Sequence, residues 1–346
     1  MTRASYSGSG MLITTFGLWW IRGLLDYAMW RGDMTLLKRL LPCGRSILDY
    51  WLHGLQGDGL VRTPEGWSFL DWAAWNEYEA AWRTPGWTEG WHTGAPPGGL
   101  PRQISYTLNW LLVCALEWQA KLETLAGEHE MAARWDRAAD HIASALNAAA
   151  WDAASGPYFD SPSRRHLSQH TQILALLTNR VPPDRRAAAA HALAGRHDLV
   201  EATLGFADNL FEVYYREGMR EAFQARLEEW RLMPGRGMKT GYEVRWDYTR
   251  SDCHGWASSP LFHAYASILG VRPAAPGFRK IRIAPLLGPG QYAKGTMPHP
   301  GGTISVDIRR EDDAWHGRIE IPGGALGEFA PAGAVPREFE GELNLP

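Results

Sequence analysis

An all-α body of helical hairpins followed by a small antiparallel β module is the architecture this chain predicts, and three observations predict it. Apolar residues recur at steps of three and four through most of residues 11–269. These runs come in pairs, with no alternating strand pattern between them. Around Pro276 the pattern changes to short alternating runs separated by Gly and Pro.

The apolar stretch Met11 to Trp30 reads as a buried helix. Arg22 and Asp26 interrupt it, and neither a basic leader nor a small-residue cleavage site frames it, which argues against a membrane or signal segment. Gly32-Asp33 stops this helix and caps the next, which runs from Met34 to Trp51, is bent by Pro42, and ends at Gly54 and Gly57. From Asp58 to Pro101 periodicity vanishes, and Trp67, Trp72, Trp75, Trp82, Trp87 and Trp91 crowd one long loop. Such a loop is either functional or an ordered cover whose indoles pack on the helices beneath.

Ile104, Leu108, Leu111, Leu112, Ala115, Trp118, Leu122 and Leu125 make Arg102 to Ala126 an amphipathic helix ended by Gly127. Met131 to Leu146 repeats the pattern and completes a hairpin. Further pairs follow at Leu167–Leu177 with Arg185–Ala194, and at Phe206–Tyr215 with Met219–Met233. One more helix is expected at Ser258–Leu269. Beyond Pro276, strands are expected at Lys280–Pro285, Ala293–Pro298, Thr303–Arg310 and Trp315–Pro322, with little regular structure from Gly323 onward. The expected division is 1–275 for the helical body and 276–346 for the β module.

Composition narrows the function. The 346 residues are 45% hydrophobic and 21% charged, with a formal net charge of −3. That balance leaves no footprint for nucleic acid or an anionic membrane. Cys43, Cys114 and Cys253 are too scattered for a disulfide framework or a zinc ribbon, so a reducing, cytoplasmic setting is expected. The anomaly is 18 Trp. Indole suits flat, half-wet surfaces, and the C–H face of a pyranose stacks on it while carboxylates, His and Arg bind the hydroxyls. The alternative is a Trp-heavy helical core.

The densest chemistry lies in Met238–Trp256, a Gly-bounded connection between helices that holds Glu243, Arg245, Trp246, His254 and Trp256. Glycoside hydrolysis by inversion needs two carboxyl groups about 6.5–9.5 Å apart, one activating water and one protonating the leaving oxygen. Glu243 is the candidate base; the plain alternative is a solvated surface glutamate. His254 comes eleven residues later, too far for a helical metal pair, and suits a hydrogen bond to a sugar hydroxyl or a satisfied buried role. Asp71-Trp72 offers a hydroxyl acceptor and a stacking face, although Asp71 could equally cap a turn. No metal constellation and no phosphate-cradling loop is present in the sequence, so no metal or cofactor is expected.

Several segments together carry a family resemblance. They are Lys239-Thr240-Gly241-Tyr242-Glu243, Ser251-Asp252-Cys253-His254-Gly255-Trp256 with Ser259-Pro260, and Leu269-Gly270-Val271-Arg272-Pro273 with Pro276-Gly277-Phe278 and Ile283-Ala284-Pro285. Gly295–Pro300, Gly302–Val306, Trp67–Trp72, Trp19-Trp20 and Gly32-Asp33 add to them. On these the chain resembles the bacterial-type α-L-rhamnosidases. The resemblance implies an (α/α)6 six-hairpin barrel followed by a small β-sandwich, with Glu243 as the general base of an inverting mechanism and His254 binding rhamnose. It further implies that Trp72 and one of Trp19 or Trp20, Trp20 being the choice here, line the same pocket.

The family's general acid belongs to an acidic, Arg-rich segment ahead of the first helix seen here, whereas the first acidic residue of this chain is Asp26. About nine helices are expected where six hairpins require twelve. The expectation is therefore a barrel incomplete at its N-terminus, with a rhamnosylated glycoside or oligosaccharide as substrate. An N-terminal companion segment or a second copy would be its partner. The alternatives are a non-catalytic saccharide-binding remnant and a sugar epimerase on an α/α barrel, the latter opposed by the Glu243 loop and the trailing β module.

Overall fold

The computed structural model describes residues 12–73, 94–244, 251–312 and 314–346. Among them the helices are α1 (Thr14–Arg31), α2 (Met34–Leu52), α3 (Tyr106–Ala126), α4 (His129–Ala149), α5 (Gln169–Leu177), α6 (Pro183–Gly195), α7 (Ala207–Arg216), α8 (Arg220–Leu232) and α9 (Ser259–His263). The last runs on into a widened, π-type turn at Ala264–Ile268. Eight strands follow: β1 (Val271–Pro273), β2 (Lys280–Ile283), β3 (Gln291–His299), β4 (Gly302–Glu311), β5 (Ala314–Glu320), β6 (Leu326–Phe329), β7 (Arg337–Glu340) and β8 (Glu342–Leu345). The all-α body followed by a β-sandwich is thus the observed class. Among the described residues no helix is long and apolar enough to cross a membrane.

The described residues fall into two compact units. The first gathers 12–25, the described part of 34–210, and Val244; the second gathers 26–33, 211–243 and the described part of 251–346.

In the first unit α3 is the central element, packed against α2, α4 and α5. The sequence led us to expect an amphipathic α3, but every residue from Tyr106 to Leu116 is buried. A helix flanked on several sides has no solvent face to keep polar. It begins at Tyr106, later than expected, because Ser105 caps it by accepting from the Leu108 N–H at 3.3 Å. Gly127, in the left-handed region at φ 86°, ends it as expected. Within this core Glu123 is fully buried and accepts from Arg45 (2.8 and 2.6 Å), Gln119 (2.8 Å) and Trp135 (3.3 Å). Burial pushes its carboxyl up, but the Arg45 guanidinium and the other donors outweigh that and hold it below the usual glutamate value. Pro42 lies inside α2, whose helical span continues from Met34 to Leu52.

The second unit contains the sandwich. One sheet has the order β1-β2-β6-β7 and the other β3-β4-β5-β8. All pairings are antiparallel except β2 with β6, which is parallel. Val271, Ile281, Ile283, Ile304, Val306, Ile308 and Ile319 fill the space between the sheets, and Trp30 packs against them with its ring 4.9 Å from Phe278. Gly32 and Gly277, each at φ 71°, meet back to back, and a Cβ on Gly32 would lie 2.6 Å from the Gly277 Cα. Only glycine tolerates both the left-handed backbone and that approach.

One expectation about the β module needs correction. The segment from Gly323 onward is regular, since it supplies β6, β7 and β8 with Leu326–Phe329 and Leu343–Leu345 alternating in burial. Its strands are too short and Gly-interrupted to be recognised before their partners are known. The first strand of the sheets, Val271–Pro273, lies on the 1–275 side of the expected division.

A buried ionic lock fastens this unit. Glu212 of α7 accepts from Arg272 of β1 and Arg216, both at 2.7 Å, and the Arg272 guanidinium lies 3.9 Å from the Tyr215 ring centre. Arg272 also donates to the Ser267 hydroxyl at 2.9 Å. Burial raises the Glu212 carboxyl, yet the two guanidinium groups prevail and hold it below the ordinary value.

Candidate active site

After α8 the chain turns at Pro234–Arg236, and Gly237 at φ 77° redirects it into an extended segment. Residues 240–243 run against 251–254. The Glu243 N–H donates to the Ser251 carbonyl at 2.9 Å, the His254 N–H donates to the Gly241 carbonyl at 2.8 Å, and the Thr240 hydroxyl donates to the Asp252 carbonyl. Gly241 is required here by closeness, because a Cβ would overlap that of Ala257. Tyr242 is buried, with its hydroxyl 3.3 Å from Glu229 on α8, and Glu243 beside it is buried too.

Glu243 is only 4% exposed. Its Oε2 lies 3.9 Å from the Nδ1 of His254, whose side chain is 34% exposed. That separation allows attraction if the imidazole is protonated but is longer than a hydrogen bond, so a sugar hydroxyl or a water can bridge the two. The His254 ring stands 4.3 Å from the Trp256 ring, centre to centre, at 52°. The Trp256 indole N–H in turn donates to the Glu243 carbonyl at 3.0 Å, and the Trp230 indole N–H donates to the Ala257 carbonyl at 2.7 Å. The structure therefore brings Glu243, His254 and Trp256 together on a loop cross-tied at both ends. Arg245 and Trp246 lie outside the described residues, as do Trp75, Trp82, Trp87 and Trp91.

In the first unit Asp71 occupies a different kind of place. It is fully buried, and its Oδ2 sits 2.7 Å from His170 Nε2 and accepts from the Thr203 N–H at 2.8 Å. Its Oδ1 accepts from the Trp72 N–H at 2.9 Å and from the Thr203 hydroxyl. A carboxylate has about four acceptor sites. All four are committed inside the protein, so the geometry is that of a hub tying three chain segments, not of a sugar-hydroxyl acceptor. His170 and Thr203 carry no sequence signal that links them to Asp71.

Trp72 is half-buried, with its ring 4.8 Å from Phe69 and 6.3 Å from Trp67. Trp20 is also half-buried. Its neighbour Trp19 stacks within the unit, 5.7 Å from Trp118 and 5.9 Å from Phe206. Among the described residues no group of three His, Cys, Asp or Glu side chains is arranged to hold a metal ion.

Comparison with known proteins bears on both units. Residues 270–330 match the bacterial alpha-L-rhamnosidase C-terminal domain family. An alpha-L-rhamnosidase of Alteromonas sp. (strain LOR) is 37% identical over 68 residues, which is 19% of this chain and 7% of that protein. Among solved structures, a GH78-family rhamnosidase of Bacillus sp. GL1 superposes with a TM-score of 0.75 at 24% identity, covering 94% of this chain and 35% of that one. The native α-L-rhamnosidase of Aspergillus terreus gives 0.73 at 18%, covering 97% and 39%. A Klebsiella oxytoca rhamnosidase with rhamnose bound gives 0.60 at 21%, covering 74% and 47%. This chain thus has the α-hairpin and β-sandwich fold of the α-L-rhamnosidases, and in residues 270–330 their C-terminal domain sequence. It spans less than half the length of each of these solved relatives.

Proposed function

We propose that the chain carries the base half of an inverting glycosidase site acting on terminal α-L-rhamnosyl groups of a glycoside or oligosaccharide. Glu243 takes a proton from the water that attacks the anomeric carbon, and His254 holds a hydroxyl of the same sugar. The glycosidic bond breaks as the leaving oxygen takes a proton from a second carboxyl group. None of the acids described above is assigned that second role. An acidic, arginine-rich companion segment supplies it. Trp72 and Trp20 are proposed as rings that contact sugar, and residues 1–275 and 276–346 as the catalytic body and its sandwich, with the last residues of the body lending β1 to the sheets.

The observation that supports this reading most is a buried carboxylate beside an imidazole packed against an indole, held on a loop whose backbone is tied at Glu243 and His254. A base that activates water must be fixed and shielded. The ligand class is carried over from the solved relative named as holding rhamnose.

The test is turnover of a nitrophenyl α-L-rhamnoside by the chain, alone and with such a companion segment added. Turnover is expected with the segment, and Glu243→Gln should lower it by about 100-fold or more while rhamnose affinity persists. Near-normal turnover by Glu243→Gln would refute the role of Glu243. Rhamnose binding without turnover in either mixture would instead identify a saccharide-binding protein.

A further inference from the structure

The outer face of the β3-β4-β5-β8 sheet holds a groove unrelated to the Glu243 loop. On β4, Ile304, Val306 and Ile308 are buried, so Ser305, Asp307 and Arg309 face outward. The register sets Tyr292 opposite Arg309, and Arg309 opposite His316. A phenol ring, a guanidinium and an imidazole therefore stand in one row across three strands, and Lys294, Asp307 and Arg318 form the next row on the same face. The groove is open to solvent along the sheet face and has a volume of about 660 Å³, within the range of small-molecule sites. Gly317, at φ 123°, lets β5 pass where a Cβ would overlap the Asp307 carbonyl.

Its chemistry selects one class of ligand. Tyr292 is 77% exposed and offers a flat apolar face. Most of the charges around it are paired: Lys294 with Asp307 at 2.6 Å, Arg309 with Glu311 at 3.0 Å, and Arg318 with Glu320 and, at 2.7 Å, with Glu342; Arg310 in the same lining donates to the Asp312 and Leu287 carbonyls, both at 3.1 Å, and the His316 imidazole lies 3.5 Å from Glu311. Paired charges cancel the field that a polyanion would need. They still present donors and acceptors in fixed planes, which suit hydroxyl groups. A lipid would leave all of them desolvated. We propose that this face is a second saccharide-binding site, taking a neutral glycan chain laid across β3, β4 and β5 with one ring stacked on Tyr292. The row is about 10 Å wide, enough for a disaccharide.

This inference goes beyond the reading of Glu243 and needs no turnover. The experiment is affinity electrophoresis of the full chain through gels containing neutral rhamnan, with polygalacturonate as the anionic comparison. Excess free L-rhamnose is present throughout to occupy any site at Glu243. Retardation by rhamnan should persist, and Tyr292→Ala should weaken it about tenfold. Arg309→Ala should weaken it too. Both side chains are exposed, so both variants should melt like the parent. Equal retardation of parent and Tyr292→Ala, no retardation by rhamnan, or retardation by polygalacturonate alone would each overturn the proposal. If Glu243 binds no sugar, free rhamnose will change nothing while the dependence on Tyr292 remains, so the two readings fail separately.

Discussion

The Nδ1 of His254 lies 3.9 Å from the Oε2 of Glu243, while the ring of the same histidine packs at a tilt against Trp256, whose indole N–H is bonded to the Glu243 carbonyl. The carboxylate and the imidazole are thus positioned by one another's neighbours. A change at either side chain should leave the other in place.

His254→Ala should separate binding from chemistry. Loss of a hydrogen bond to a sugar hydroxyl costs about 1 kcal/mol or more, so rhamnose affinity should fall about fivefold to tenfold. The loop should survive, because its ties at residue 254 are made by the backbone. Titration with L-rhamnose, alongside a thermal melt, reads both effects. Unchanged affinity would remove His254 from sugar binding.

Asp71 should behave as a structural hub. Asp71→Ala would leave the donors of Thr203 and Trp72 buried without their acceptor, at about 1–3 kcal/mol for each unsatisfied group, whereas Asp71→Asn keeps part of the network and should cost less. Urea denaturation reads the difference. Should Asp71→Ala instead keep its stability and lose rhamnose affinity, the sugar-contact role expected from the sequence would be restored.

The Glu212–Arg272 lock should make stability depend on acid. Glu212 titrates below its ordinary value of 4.5 in the folded protein. Its contribution is therefore complete above that value and is lost as the pH falls through the lower, folded value. Glu123 contributes with the same sign. Arg272→Ala would leave the buried Glu212 carboxylate paired with Arg216 but without its second guanidinium, at about 1–3 kcal/mol, and should flatten part of the Glu212 acid dependence. Urea midpoints measured from about pH 7 to pH 3 would show a lower and flatter profile for the variant. A parallel profile would mean that Arg272 is not what holds Glu212 ionised.

The hairpins were legible because helical periodicity is local: α1 to α8 lie where steps of three and four placed apolar residues, and Gly127 ends α3 as its position implied. The core strands β2 to β5 were legible for the same reason, at period two. The Glu243 loop could be singled out because its ionisable and aromatic residues are close in sequence. Strands β6 to β8 were not legible. β6 takes its register from β2 in a parallel pairing, and no local pattern encodes a partner on another element.

Local pattern is enough to make this chain α-hairpins with a trailing sandwich and to put Glu243, His254 and Trp256 on one loop. Both follow from neighbours a few residues apart. How each polar group is used depends on contacts between distant segments. Asp71 looked like an acceptor open to a sugar until His170 and Thr203, 99 and 132 residues away, were found on its oxygens. Whether a carboxylate has a lone pair to offer depends on which donors folding brings to it, and those donors come from anywhere in the chain.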